Sequence, residues 1–325
     1  MSFMVGVQMD PISDIDITGD TSFALALEAQ ARGHRLFVYH VDDMSYEKGD
    51  VWARLTEVTL TDRIGSHVSF GAVSYRPLSD CDVILMRQDP PFDMAYITAT
   101  HLLEKLPAST MVVNNPAEVR NAPEKILVTL FSELMPDTLI SRDKSRIDAF
   151  RDEHQDIIVK PLYGNGGAGV FRVQPEDQNL SALLEMFFAQ SREPVMVQRY
   201  LPEVVNGDKR IILIDGKPVG AINRVPQKGE ARSNLHVGGV AVSTELSDSD
   251  RQICDAIGAE LRQRGLYFVG IDVIGSYLTE INVTSPTGIR EMSRFTGRNI
   301  AGMFWDVIED RQARNLSNGI LHNNS

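Results

Sequence analysis

Six residues, Gly164-Asn165-Gly166-Gly167-Ala168-Gly169, lie between two runs that both read as strands. Ile157-Ile158-Val159-Lys160 precedes them and Val170-Phe171-Arg172-Val173 follows. The spacing satisfies G-x-G-x-x-G, but a dinucleotide site needs a helix to open straight after the glycines, so that a pyrophosphate meets the helix N-terminus. A β-branched, aromatic run follows instead, and the nicotinamide-dehydrogenase reading loses its support. No Lys-Ser/Thr follows the last glycine, which excludes a Walker loop. What is left is a hairpin with a glycine tip, suited to close over phosphates because backbone N–H groups approach oxygens without a Cβ in the way. A surface hairpin with glycines for turn reasons alone has the same sequence, so its neighbours must decide. Lys160, ending an apolar strand at the mouth of the loop, is placed as a point charge for a phosphate.

Around this segment the pattern changes once. Residues 4–9, 36–41, 82–86 and 111–113 read as strands, and 21–32 and 95–106 as helices, which predicts a small parallel sheet with helices on its faces. Asn115-Pro116 and Pro123 punctuate the chain, and an amphipathic helix over 124–134 carries Lys125. The boundary is placed there, giving 1–122 as an N-terminal α/β domain. From about 138 the strands 157–160, 170–173, 195–200, 210–214 and 219–225 alternate with helices over 180–190, 248–264 and 300–311, predicting an α+β second domain over 123–312 with subdomains 123–200 and 201–312. Asp215-Gly216 and Gly275-Ser276 read as hairpin turns. Residues 313–325 form a polar tail expected to fray.

Charge and cysteine content narrow the function. The 325 residues carry a net charge of -12, against binding to nucleic acid, whose phosphates demand a basic face. No apolar run approaches the roughly 20 residues that cross a bilayer. Two cysteines without zinc spacing point to a reducing cytoplasm.

The densest chemistry lies in 270–282. Glu280 and Asn282, two apart on one strand, face one side, and Asp272 stands on the neighbouring strand. Carboxylates converging there repel unless a cation joins them, and a Mg²⁺ taking carboxylate and amide oxygens plus substrate phosphates resolves the conflict. Arg210, Arg224, Arg232 and Arg290, several of them in or near the glycine-bearing stretch 226–239, offer bidentate partners for carboxylates or an acyl phosphate. Arg87 and Asp89 end a strand where open α/β sheets place ligands. Asp208 follows the segment Gln198-Arg199-Tyr200-Leu201, within reach of a ribose or an amine. Each of these residues alone is more ordinary: a solvated lysine, a turn aspartate, a surface arginine.

Taken in order, Met9-Asp10-Pro11-Ile12, Leu85-Met86-Arg87-Gln88-Asp89-Pro90-Pro91-Phe92-Asp93, Lys160-Pro161-Leu162, Gly207-Asp208-Lys209-Arg210 and Thr279-Glu280-Ile281-Asn282-Val283-Thr284-Ser285-Pro286-Thr287 closely resemble the bacterial glutathione synthetases, ATP-grasp ligases, over residues 4–309. The resemblance implies an ATP-grasp fold preceded by a small N-terminal α/β domain, and a homo-oligomer, dimer or tetramer. It implies ATP-dependent ligation of γ-glutamylcysteine with glycine. Lys125 and Lys160 would bind the ATP phosphates, residues 164–169 would be the flap, Gln198, Tyr200 and Leu201 would line the adenine pocket, and Asp208 would hold the ribose. Asp272, Glu280 and Asn282 would carry two Mg²⁺ or Mn²⁺ ions, Arg210 would stabilise the transferring group with Lys160, and Asp10, Arg87, Arg224, Arg232 and Arg290 would face the substrates. The chain departs from the pattern at Tyr163, Val240 and Gly288, where family members carry Asp, Arg and Cys. Another carboxylate–amine ligase of the same superfamily, acting on a glutamate or a peptide, and a non-catalytic nucleotide binder are the competing readings.

Overall fold

The structure is a computed structural model describing residues 2–227, 233 and 238–322, with side chains through 317. The first unit runs β1 (Met4–Gln8), α1 (Thr21–Ala31), β2 (Arg35–Tyr39), β3 (Met44–Glu47), β4 (Asp50–Leu60), β5 (Val68–Pro77), β6 (Val83–Met86), α2 (Met94–Leu103), β7 (Met111–Val113) and α3 (Pro116–Arg120). Its sheet has the order β3-β4-β2-β1-β6-β7, with β5 paired to β4. β2, β1, β6 and β7 are parallel, as expected. β3, β4 and β5 are antiparallel additions from 44–77 that the reading of a small parallel sheet omits. β4 exists because Val51, Ala53 and Leu55 alternate inward and, after a register shift between Thr56 and Val58, Val58 and Leu60 resume. α1 starts where the Asp20 carboxylate accepts from the Phe23 N–H at 2.6 Å, and its chain leaves through Gly33 at φ +83°.

The second part runs α4 (Glu124–Leu127), β8 (Thr138–Ser141), α5 (Lys144–His154), β9 (Ile157–Pro161), β10 (Phe171–Val173), α6 (Leu180–Gln190), β11 (Val195–Arg199), β12 (Asp208–Ile214), β13 (Lys217–Val225), β14 (Val240–Ser243), α7 (Asp248–Gln263), β15 (Phe268–Ile274), β16 (Tyr277–Asn282), α8 (Ile289–Thr296) and α9 (Ile300–His322). Two antiparallel sheets result, β10-β9-β11-β8 and β14-β13-β12-β15-β16. The helix expected over 124–134 breaks: α4 passes into 3-10 turns over Val128–Leu134, with Phe131 at φ -122°, ψ 49°. α9 continues beyond the expected end at 311 to His322, and 323–325 lie outside the described residues. Asp215-Gly216 turns between β12 and β13 with both residues at positive φ, the geometry that favours this pair in two-residue hairpins. Gly275-Ser276 likewise joins β15 to β16.

The apolar interior shows which parts are joined. Trp305 of α9, fully buried, donates its indole N–H to the Leu25 carbonyl at 2.8 Å. Asn114, after β7, donates to the Phe268 and Val283 carbonyls at 2.8 Å each and accepts from the Phe268 N–H at 2.9 Å. The N-terminal sheet and the five-stranded sheet therefore share buried clusters. By contrast, the four-stranded sheet with α5 and α6 closes its own small core around Ile147, Ile157, Val159, Leu184 and Val197. A unit with a separate core can shift as a body without opening the main one.

Candidate active site

Directly opposed residues of antiparallel strands share a face. The register sets Asp208 opposite Arg224, Arg210 opposite Asp272, Asp272 opposite Glu280, and Gly270 opposite Asn282. One face of β13, β12, β15 and β16 thus carries Arg224, Asp208, Arg210, Asp272, Glu280 and Asn282 side by side. Ile211, Ile271 and Ile281 point the other way into the core. Gly270 leaves room on the charged face: a Cβ there would stand 2.7 Å from Pro286 Cβ and 3.2 Å from Arg210 Cδ.

The row is paired internally. Arg210 grips both oxygens of Asp272, Nε at 2.5 Å and Nη2 at 2.9 Å. Arg224 Nη2 bridges Asp272 at 3.0 Å and Asp208 at 2.6 Å, and Ser233 donates to Asp208 at 2.9 Å. Burial works against ionisation of Asp272, yet the two guanidiniums hold its carboxyl well below the usual carboxylate range. For Asp208 burial wins over Arg224 and pushes the carboxyl up to about 6. Across from the row, Lys125 of α4 and Lys160 of β9 approach Glu280 Oε1 at 3.5 Å and 3.4 Å. Burial lowers the Lys160 ammonium's pKa. At Lys125 burial acts in the same direction, but Glu280 and Glu124 overcome it and raise the value. Lys125 Nζ also donates to the Gly164 carbonyl at 2.6 Å, tying the glycine segment to the row.

Two cavities meet at Glu280. The larger, about 510 Å³, is lined by residues 164–168, by Arg87, Lys125, Arg210 and Arg224, and by Glu280 and Asn282. The smaller, about 100 Å³, is lined by Lys160, Gln198, Tyr200, Leu201, Asp208 and Asp272 along with Glu280. Most of the expected site residues are thus brought together. Arg87 is buried, donates to Ser22 Oγ and the Pro286 carbonyl at 3.0 Å each, and keeps Nη1 without a partner. Asp10 does not line the larger cavity; it stands 3.6 Å from His40. Arg290 departs from its expected place: it forks onto Asp62 at 2.7 and 3.1 Å and lines a separate crevice with Ile64. Arg232 lies outside the described residues, as does most of 226–239. Asp89, read from the sequence together with Arg87, lies in the acidic wall of the larger cavity; sequence reasoning missed the rest of that wall, Asp20, Glu124 and Glu291. Burial pushes the Glu124 carboxyl up to about 7. Its position next to Lys125 was the available signal.

The donors fit a hard divalent cation in part. Glu280 and Asn282 present oxygens on one face, and the buried Asn282 Nδ2 has no partner, which leaves its amide free to orient. Both oxygens of Asp272 accept from guanidinium groups, Oδ1 from Arg210 alone and Oδ2 from Arg210 and Arg224, so a cation here competes with the arginines for this carboxylate. Among the described residues no three His, Cys, Asp or Glu side chains gather as a metal cluster.

The family model described as prokaryotic glutathione synthetase, N-terminal domain, matches residues 3–120, and that described as prokaryotic glutathione synthetase, ATP-grasp domain, matches residues 124–297. The chain belongs to the prokaryotic glutathione synthetase family. The glutathione synthetase of Mesorhizobium japonicum is 60% identical over 96% of this chain and 100% of its own. That of Brucella melitensis is 58% identical over the same shares, and that of Escherichia coli O127:H6 is 44% identical over 94% and 98%. Among solved structures, D-cycloserine synthetase DcsG superposes with a TM-score of 0.67 at 16% identity, covering 95% of this chain and 99% of its own. The ATP-grasp ligase PsnB complexed with minimal precursor, Mg and ADP gives 0.60 at 19% identity, over 95% and 98%. These two likenesses establish the ATP-grasp fold. In the glutathione synthetase family's terms, the seam between the two matched regions falls at residues 121–123, next to Glu124 and Lys125.

Proposed function

We propose that the protein ligates γ-glutamylcysteine to glycine with ATP, giving glutathione, ADP and phosphate through an acyl phosphate. The observation that carries this reading is the convergence of Lys125 and Lys160 on Glu280, beneath a glycine segment and beside the Arg210–Asp272 pair. A carboxylate is a poor electrophile, so its oxygen first takes the γ-phosphoryl group from ATP; the glycine amine then attacks the acyl carbon, phosphate leaves, and the amine loses a proton. The lysines spread the charge of the transferring group, and Arg210 faces the acyl phosphate once nucleotide draws it from Asp272. The pocket of Gln198, Tyr200 and Leu201 suits the adenine and Asp208 the ribose. Arg87 and Arg224 suit substrate carboxylates, and the acidic wall suits an ammonium group. Asp10 and Arg290 serve as outer substrate contacts, Arg290 only if it leaves Asp62, and Arg232 keeps its expected role as a substrate contact. Residues 164–169 cover the phosphates.

Mg²⁺ or Mn²⁺, two ions in this reading, would be held by Glu280, Asn282 and a released Asp272, and supplies charge neutralisation at the transferring phosphoryl group. The division into 1–122, 123–200 and 201–312 is part of the same proposal and is supported by the separate core of the four-stranded sheet. A homo-oligomer in the cytoplasm completes it: both cysteines are unpaired and buried, and among the described residues no helix is long and apolar enough to cross a membrane. The test supplies purified protein with ATP, γ-glutamylcysteine and each amino acid in turn. Phosphate release should require γ-glutamylcysteine and glycine together; release that ignores either one overturns the substrate assignment.

A further inference from the structure

Three contacts hold the glycine segment. Two belong to the site already described: the Lys125 bond to the Gly164 carbonyl, and the seating of Gly164 and Gly169 on Pro161, where added Cβ atoms would come within 2.6 and 3.2 Å of the proline ring. The third does not. The Tyr163 ring lies nearly parallel to that of Phe92, with centroids 6.1 Å apart and an interplanar angle of 16°. Phe92 comes from the N-terminal unit and is itself fixed. It packs on the buried Tyr96 at 5.2 Å, and the next residue, Asp93, caps α2 by accepting from the Tyr96 N–H at 3.0 Å. On the other side of Tyr163, Leu162 is buried in the main core at 4% exposure, while Tyr163 is 39% exposed. The tyrosine therefore stands between an anchored residue and the glycine segment, its ring stacked on the N-terminal unit and partly exposed.

We propose that Tyr163 is a positioning residue: by clasping Phe92 it holds the glycine segment down over the larger cavity while the acyl phosphate exists. An exposed aromatic pair of this geometry changes the closed-to-open ratio by about 2- to 10-fold, enough to bias closure and small enough to reverse in each cycle. Loss of the clasp admits water. A water oxygen then takes the acyl carbon, phosphate leaves with the electrons of the broken C–O bond, a proton is released, and the dipeptide carboxylate returns without a peptide bond.

The proposal rests on the ligase reading, and its test separates the two. Phosphate and glutathione are measured together for wild type, Tyr163→Ala, Tyr163→Phe, Phe92→Ala and the double variant. Tyr163→Ala should raise phosphate released per glutathione, and KM for ATP, by about 2- to 10-fold. Tyr163→Phe, which keeps the ring, should restore both, and Phe92→Ala should add nothing to Tyr163→Ala. An unchanged ratio in Tyr163→Ala, or additive effects of the two alanines, overturns the clasp. A wild type that releases phosphate without glutathione condemns the ligase reading instead. The clasp is then read by proteolysis within 164–169, which should be faster in Tyr163→Ala than in Tyr163→Phe; equal rates overturn it.

Discussion

Replacing Glu280 by Gln removes the carboxylate that both Lys125 and Lys160 approach and that lines both cavities. Ligation should fall at least about a hundredfold, because cation and lysine placement together contribute several kcal/mol to phosphoryl transfer; steady-state turnover measures it. Glu124 gives a pH test. Burial pushes its carboxyl from an ordinary 4.5 to about 7, against the pull of Lys125. A carboxyl raised in the folded state favours the fold below its unfolded value and withdraws that stability as pH rises through its folded value, here between about 4.5 and 7. Glu124→Gln should therefore gain on wild type in thermal melts between pH 5 and pH 8; a constant difference across that range contradicts the assignment. At this scale the sequence was legible where a charge interrupts an apolar run. Lys160 after Ile157-Ile158-Val159 and Glu280 within β16 are such cases. Glu124 and the inward Asp20 carry no such contrast with their neighbours, and Arg290 was assigned to the site although its partner, Asp62, is 228 residues away.

The elements that build the site are hairpins, and their turns are local chemistry. Asp215-Gly216 and Gly275-Ser276 fix the pairing of β12 with β13 and of β15 with β16, so the charged row follows from register. Gly270 belongs to that register as the place where Arg210 crosses β15. Gly270→Ala should cost about 1–3 kcal/mol by overpacking and lower activity by displacing Arg210 or the Pro286 segment. Urea melts and turnover together check it, and unchanged values in both would show that the neighbours yield freely. β3, β4, β5, β8, β14, α3, α5 and α8 were not anticipated. β4 did carry an alternating signal, broken by a one-residue shift. β5 also alternates, over Val68-Ser69-Phe70-Gly71 and Val73-Ser74-Tyr75-Arg76, but residues 69–73 are exposed on both faces, so no core rewards the pattern. The 124–134 segment is apolar enough for a helix, yet the α-helix ends at Leu127 and the 3-10 turns that follow contain a non-helical Phe131, an outcome that propensity, a weak prior, does not decide.

β5 also bears on the whole molecule. It is paired on one side only, by β4. Residues 68–75 contain no charge, and Phe70, Val73 and Tyr75 are 58%, 60% and 51% exposed. Uncharged edges of this length pair with copies of themselves unless blocked, which favours β5 as the contact of the proposed homo-oligomer. Val73→Lys should shift the protein to monomer in size-exclusion chromatography with light scattering, leaving circular dichroism unchanged; a wild type that is already monomeric rules the oligomer out. By itself the chain's sequence determined the alternation of elements, the hairpin turns, the glycine tip and the family, since each depends on residues close in sequence or on strings kept in order. The tertiary structure decided that Asp272 is closed on Arg210 and Arg224, that Lys125 reaches Gly164 and Glu280, that Arg290 turns away, and that Tyr163 meets Phe92. Those outcomes join residues tens to hundreds of positions apart, and the chain's folding alone fixes which charge or ring meets which.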